Sequence, residues 1–152
     1  MDDSHPSDMG LQLPVALTGH VGYLAVVMGQ RSQARFEVAM EAFELRPVHY
    51  DYLASLGEHG AASQRELADL LEVDAARVVS LTDALEQRGL VTRTVDPADR
   101  RRNLLTLTAD GRRLLAKATK AATRVEHDLL AGLTAAEQDS LRGLLQRALS
   151  IR

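Results

Sequence analysis

The chain has 152 residues, 45% hydrophobic and 26% charged, which bounds it to one compact domain or one fold with a small appendage. It holds no Cys and no Trp, so a disulfide scaffold, a thiolate zinc site and a thiol nucleophile or redox sensor are excluded. The net charge of −3 hides an uneven distribution: from Arg77 to Arg113 eight arginines, without one Lys, face five acids, a local excess of +3. Clustered Arg in an otherwise acidic chain is the footprint of a polyanionic partner, although a solvated charged face has the same composition.

The only aromatics are Tyr23, Phe36, Phe43, Tyr50 and Tyr52, so the core is aliphatic. Leu, Ala and Val at helical spacing predict a mostly helical protein. No run of about 18 apolar residues offers a membrane span. Met1 to Asp8 lacks the basic start and apolar stretch of a signal peptide, so a cytoplasmic protein is expected.

Residues 1–10 read as a disordered tail. Pro14 suits a first helical turn, and Leu17, Val21, Leu24, Val27 and Met28 carry the helical period onward to Glu44, with Gly19, Gly22 and Gly29 as places to bend. Pro47 opens a short second helix to Leu56, ended by Gly57 and Gly60. Ser63-Gln64-Arg65-Glu66 has the form of a capping box and starts a third helix through Leu71. Asp74 caps a fourth, Ala75 to Arg88, closed by Gly89. Two β-favouring stretches, 90–95 and 103–107, flank the turn-rich Asp96-Pro97-Ala98-Asp99-Arg100-Arg101-Arg102 and predict a hairpin with a protruding tip. Thr108 caps a fifth helix reaching Leu130. Thr134-Ala135-Ala136-Glu137 is a second capping box and opens a sixth helix toward Ser150.

The predicted fold is therefore mainly α with a small β-hairpin wing: a winged helix-turn-helix core flanked by helices at both ends. Leu67, Leu70 and Leu71 are expected to face Val78, Leu81 and Leu85, with Ala68 at the close approach and Val73 plugging the turn. The outward face of the second helix then presents Ala76, Arg77, Ser80, Asp83 and Ala84. It is narrow enough for a major groove, and its free N–H groups suit a phosphate. The hairpin tip carries Arg100, Arg101 and Arg102 toward an adjacent minor groove, where the potential is most negative in A·T-rich DNA. Asp99 either holds the Arg101 guanidinium or closes the turn on a backbone N–H; both readings stand.

Residues 45–115 resemble the multiple antibiotic resistance regulators, the MarR family. The resemblance lies in Leu45-Arg46-Pro47-Val48-His49-Tyr50, Ser63-Gln64-Arg65-Glu66-Leu67-Ala68 and Leu85-Glu86-Gln87-Arg88-Gly89-Leu90-Val91. It continues through Asp96-Pro97-Ala98-Asp99-Arg100-Arg101 and Leu107-Thr108-Ala109-Asp110-Gly111. It implies a homodimeric transcriptional regulator, usually a repressor, on pseudo-palindromic double-stranded DNA. Residues 45–111 would be the DNA-binding winged helix, and 11–44 with 112–152 the dimerisation helices. The resemblance carries the minor-groove role onto Arg101, with Asp99 as its partner. Base and phosphate contacts fall on Arg77, Val79, Ser80 and Ala84, and on Ser63, Gln64 and Arg65. The sequence departs from the family in its recognition helix, where Ala76, Val79, Ser80 and Ala84 stand at positions often hydroxylated or basic. Contact of Ala76 or Val79 with thymine methyls is the available substitute.

A partner surface is also expected from the apolar stripe Leu114, Leu115, Ala118, Ala122, Val125, Leu129, Leu133, Leu141, Leu144, Leu145, Leu149 and Ile151. Two-fold pairing would set two recognition helices about 34 Å apart. The resemblance further implies a small aromatic acid or phenol in a cleft beside the dimer helices, for which His20, Tyr23, Arg46, His49 and Tyr52 are the candidate lining. The histidines, His5, His20, His49, His59 and His127, show no metal spacing. No phosphate-binding glycine loop appears, so neither an enzyme nor a cofactor is expected. The competing reading is a winged-helix module for protein contacts that has lost DNA binding.

Overall fold

The structure, a computed structural model, describes residues 13–150; the expected tail, 1–10, and Ile151 lie outside the described residues. In chain order the elements are α1 Val15–Thr18, α2 Val21–Glu41, α3 Pro47–His59, β1 Ala62–Ser63, α4 Gln64–Leu71, α5 Ala75–Gln87, β2 Val91–Val95, β3 Asn103–Leu107, α6 Ala109–Leu129 and α7 Ala135–Ala148. The fold is mainly helical with a winged helix-turn-helix at its centre. The three strands form one antiparallel sheet in the order β1-β3-β2.

The predicted caps are made by the predicted atoms. Ser63 Oγ accepts from the Glu66 N–H at 3.3 Å, and Glu66 accepts from the Ser63 N–H at 2.7 Å. Thr134 and Glu137 repeat the box on α7. Asp74 accepts from the Arg77 N–H at 2.8 Å, and Thr108 from the Gly111 N–H at 3.0 Å. In both boxes the backbone N–H on the glutamate holds its carboxyl below the usual range.

Three local expectations are corrected. The first predicted helix is two: α1 stops at Gly19, and the extended His20 starts α2. Gly57 does not end α3, which continues to His59 and stops at Gly60 with φ 78°. A Cβ at Gly57 would stand 2.7 Å from Leu115 Cδ2, so glycine here permits the close approach of α3 and α6. Leu70 remains exposed, because it lies about 80° around the helix from the line between Leu67 and Leu71 that faces α5.

One core joins α2 to α6 and the sheet, while α1 and α7 bury no residue in the single chain. Tyr52, Leu53 and Leu56 of α3, Leu67 of α4, Val78, Leu81 and Leu85 of α5, and Val91, Leu105 and Leu107 of the sheet are buried together. Met40 of α2 and Ala118 of α6 belong to the same cluster. Ala118, expected to seek a partner surface, is thus buried within its own chain. Phe36 meets Tyr50 edge to face at 5.2 Å, tying α2 to α3. Arg88 fastens the turn between them, donating to the carbonyls of Glu44 at 2.7 Å and Phe43 at 3.0 Å. No helix among the described residues is long and apolar enough to cross a membrane.

Candidate nucleic-acid interface

The spacing of Val78, Leu81 and Leu85 turns one face of α5 into the core, and Thr82 joins them, fully buried. Its hydroxyl donates to the Val78 carbonyl at 2.7 Å and accepts from Tyr52 Oη at 2.6 Å. Tyr52 is itself fully buried, and burial pushes its hydroxyl pKa up. It is therefore a core residue rather than part of an open ligand lining. The opposite face of α5 leaves Ala76, Arg77, Val79 and Ser80 exposed, with Ala84 partly so. Asp83 is exposed, as expected, and is paired with Arg93 of β2, as is Glu86 at 3.1 Å.

The wing tip, residues 96–102, is closed by its own side chains. Asp96 accepts from the Ala98 N–H at 2.8 Å, and the Arg102 N–H donates to the Asp99 carbonyl at 2.8 Å. Asp99 Oδ1 accepts from the Arg101 N–H at 3.0 Å and lies 3.4 Å from Arg101 Nε. One oxygen thus closes the turn and also lies within reach of the guanidinium. The Arg101 side chain remains 92% exposed.

Between the wing and the start of α4 runs a groove of about 650 Å³ lined by Gln64, Arg65, Arg101, Arg102 and Asn103, with the acids Glu66 and Asp69. Ser63 also borders it, but its hydroxyl is the α4 cap and the residue is buried. Gln64 and Arg65 are left as the α4 side chains open to a partner. Arg102 leans on Glu66 at 3.5 Å.

The arginine cluster divides by use. Arg88, Arg93 and Arg112 bind groups of the fold, and Arg113 pairs with Asp110 within α6. Among the described residues Arg77, Arg100 and, on α4, Arg65 have no ion pair. Arg101, though beside Asp99, keeps its side chain 92% exposed, and it shares a groove with Arg65. Within the 77–113 stretch composition alone could not separate the two uses.

The candidate ligand residues are not assembled into one cavity. His20 is exposed and Tyr23 half-buried along α2 and its start. Arg46 and His49 meet at the start of α3, where the Arg46 N–H donates to His49 Nδ1 at 3.2 Å. The other ring nitrogen, Nε2, lies 3.2 Å from Arg46 Nη2. Burial first, then the charges of Arg46, Arg88 and Arg77, lower the His49 pKa. A larger cleft, about 800 Å³, lies elsewhere, between α3, β3 and α6. Leu56, Leu107 and Leu115 line it, with Arg112, Thr119 and Lys120. Arg112, Ala116 and Lys120 recur at i, i+4 and i+8, a spacing that puts them on one helix face and was legible in the sequence. No group of three metal-ligating side chains occurs among the described residues.

Comparison with known proteins agrees with this geometry. The sequence model of the MarR family matches residues 45–102. The HTH-type transcriptional repressor NicR of Pseudomonas putida is 31% identical over 134 residues, covering 88% of this chain and 85% of that protein. A Thauera aromatica protein described as a regulator for the hcr operon is 37% identical over 101 residues; the match covers 66% of this chain and 61% of that protein. The repressor CouR bound to a 23-mer DNA duplex is 32% identical with a TM-score of 0.79, over 92% of this chain and 99% of that one. BpsR of Bordetella bronchiseptica, whose structure is described in terms of regulation of DNA binding by 6-hydroxynicotinic acid, is 31% identical with a TM-score of 0.74 over 92% and 99%. The family is one of transcriptional regulators, not of enzymes. With the helix pair, the wing and relatives matched along most of their own length, the chain belongs to the MarR family of transcriptional regulators.

Proposed function

We propose that this regulator is a homodimeric repressor that binds a pseudo-palindromic duplex through α5 and the wing. The observation that carries the reading is Arg101: an exposed guanidinium at the wing tip, beside Asp99, bordering one groove with Arg65 and Arg102. Arg101 enters the minor groove, while Ala76, Arg77, Val79, Ser80 and Ala84 face the major groove. Gln64, Arg65, Arg100 and Arg102 meet the backbone. Ser63 contributes through its place at the helix start rather than through its hydroxyl. The CouR–DNA complex and the repressor NicR support the reading from outside.

Pairing is supported by apolar side chains that the single chain leaves bare, Val21 at 82% and Leu149 at 68% among them. Covering such surface contributes about 25 cal/mol per Å². The effector we assign is a small aromatic or phenolic acid in the α3–β3–α6 cleft, with its ring on Leu56, Leu107 and Leu115 and its carboxylate toward Arg112 and Lys120. BpsR with 6-hydroxynicotinic acid and CouR with p-coumaroyl-CoA support that ligand class.

The test is binding of the purified protein to DNA upstream of its own gene as salt is raised. Each neutralised phosphate contributes about −0.9 to the slope of log K against log salt, so a steep fall is expected. Absence of binding to any genomic fragment at ~50 mM salt would overturn the reading in favour of a protein-interaction module.

A further inference from the structure

We infer that Arg93 is a positioning residue for DNA binding: it clamps the wing to the recognition helix and so sets where Arg101 reaches. The inference rests on the DNA reading above, and its test separates the two.

Arg93 stands opposite Leu105 in the register of β2 and β3. Directly paired residues of an antiparallel sheet share a face, and Leu105 is fully buried. The sequence therefore places an arginine on the inward face of the wing, toward α5. There its two terminal nitrogens meet two carboxylates one helical turn apart: Nη2 on Asp83 and Nη1 on Glu86, the latter at 3.1 Å. A planar fork held at two points fixes rotation as well as distance, which a single ion pair does not. Arg93 Nε is shut away from solvent without an acceptor, so the inner part of the side chain lies between sheet and helix while the side chain as a whole stays 30% exposed.

Its place along the strand gives the clamp its leverage. Beyond Arg93, Thr94 and Val95 are exposed, and the 96–102 loop follows. Arg93 is thus the last inward anchor of β2 before the tip. A small rotation there is magnified at Arg101. The clamp also covers Asp83 and Glu86, whose bare charges on α5 would repel phosphate. Positioning and charge cover predict different results when all three charges are removed together.

The experiment uses the full-length protein and a DNA fragment that the wild type binds, read by affinity at ~100 mM salt and by minor-groove and major-groove footprinting. Arg93→Met is expected to lose about tenfold in affinity and its minor-groove protection while keeping major-groove protection. Arg93→Met/Asp83→Asn/Glu86→Gln is expected to behave the same way. Recovery of wild-type affinity and minor-groove protection in the triple variant would reduce Arg93 to charge cover and overturn the proposal. Wild-type protection in Arg93→Met would also overturn it. If Arg93→Met does not fold, Asp83→Asn/Glu86→Gln opens the clamp from the other side. Loss of minor-groove protection is expected there, and its retention refutes. A readout without DNA is the orientation of the hairpin relative to α5 by residual dipolar couplings. It should be fixed in the wild type and altered in each clamp variant, and an unchanged orientation refutes. Should the wild type bind no DNA, the DNA reading fails, and the couplings still decide whether the clamp exists.

Discussion

Gly111→Ala probes the joint between the wing and the long helix α6. Gly111 is buried in the first turn of α6. A Cβ there would lie 3.0 Å from the Leu90 carbonyl carbon and closer still to its oxygen. The obstacle is backbone, so no side chain can swing aside, and α6 must lift from the root of the wing. Two hydrogen bonds stand in the way: the Thr108 N–H to the Leu90 carbonyl at 3.0 Å, and Thr108 Oγ1 to the Gly89 carbonyl at 2.6 Å. Losing both costs about 2 kcal/mol, and overpacking adds about 1–3 kcal/mol. The better helix propensity of Ala returns about 1 kcal/mol. The net destabilisation is roughly 2–4 kcal/mol, a large share of the ~5–15 kcal/mol that holds a domain folded. Urea unfolding followed by circular dichroism should show the midpoint falling by about 1–2 M. A midpoint unchanged or raised would refute the packing argument.

Other outcomes follow from the same contacts. Arg101→Ala should weaken DNA binding and reduce the salt slope by about 0.9 per wing, measured by fluorescence anisotropy. Asp99→Asn, which keeps a turn acceptor but loses the charge, should weaken binding less than Arg101→Ala; wild-type affinity in this variant would leave Asp99 a turn residue alone. Tyr52→Phe removes the donor to Thr82 and should cost about 1–2 kcal/mol in urea titrations; no loss would deny the buried bond its role. His49 has a lowered pKa, chiefly through burial, so the folded state takes up its proton less readily than the unfolded chain. Stability should therefore fall as pH drops through the ordinary value of 6.5 toward the depressed one, and level off below it. His49→Gln should remove that pH-dependent component, and an identical pH profile in both proteins would contradict the assignment.

Much of the fold was readable because it rests on local chemistry. The capping residues Ser63, Asp74, Thr108 and Thr134 announce helix starts through bonds spanning three residues. The period of Val78, Leu81 and Leu85 settles which face of α5 turns inward. What escaped depends on contacts distant in sequence. The strand Ala62–Ser63 is too short to show alternation and exists because Leu104 and Leu105 pair with it. Gly57 reads as a helix stop until Leu115 is seen against it. Tyr52 reads as a polar lining residue until Thr82, thirty positions later, is found at its hydroxyl. Arg93 counts with the clustered charge on composition, which is blind to the strand pleat that turns it toward α5.

The central claim, a duplex gripped twice by symmetric copies of helix and wing, is tested most directly by hydroxyl-radical footprinting combined with the stoichiometry of the complex. The account predicts two chains per duplex and two minor-groove protections, both lost with Arg101→Ala. These should flank a dyad whose half-sites are centred about 10 base pairs, or a multiple of one turn, apart. A single chain with one protected patch, or protection indifferent to Arg101, would contradict it.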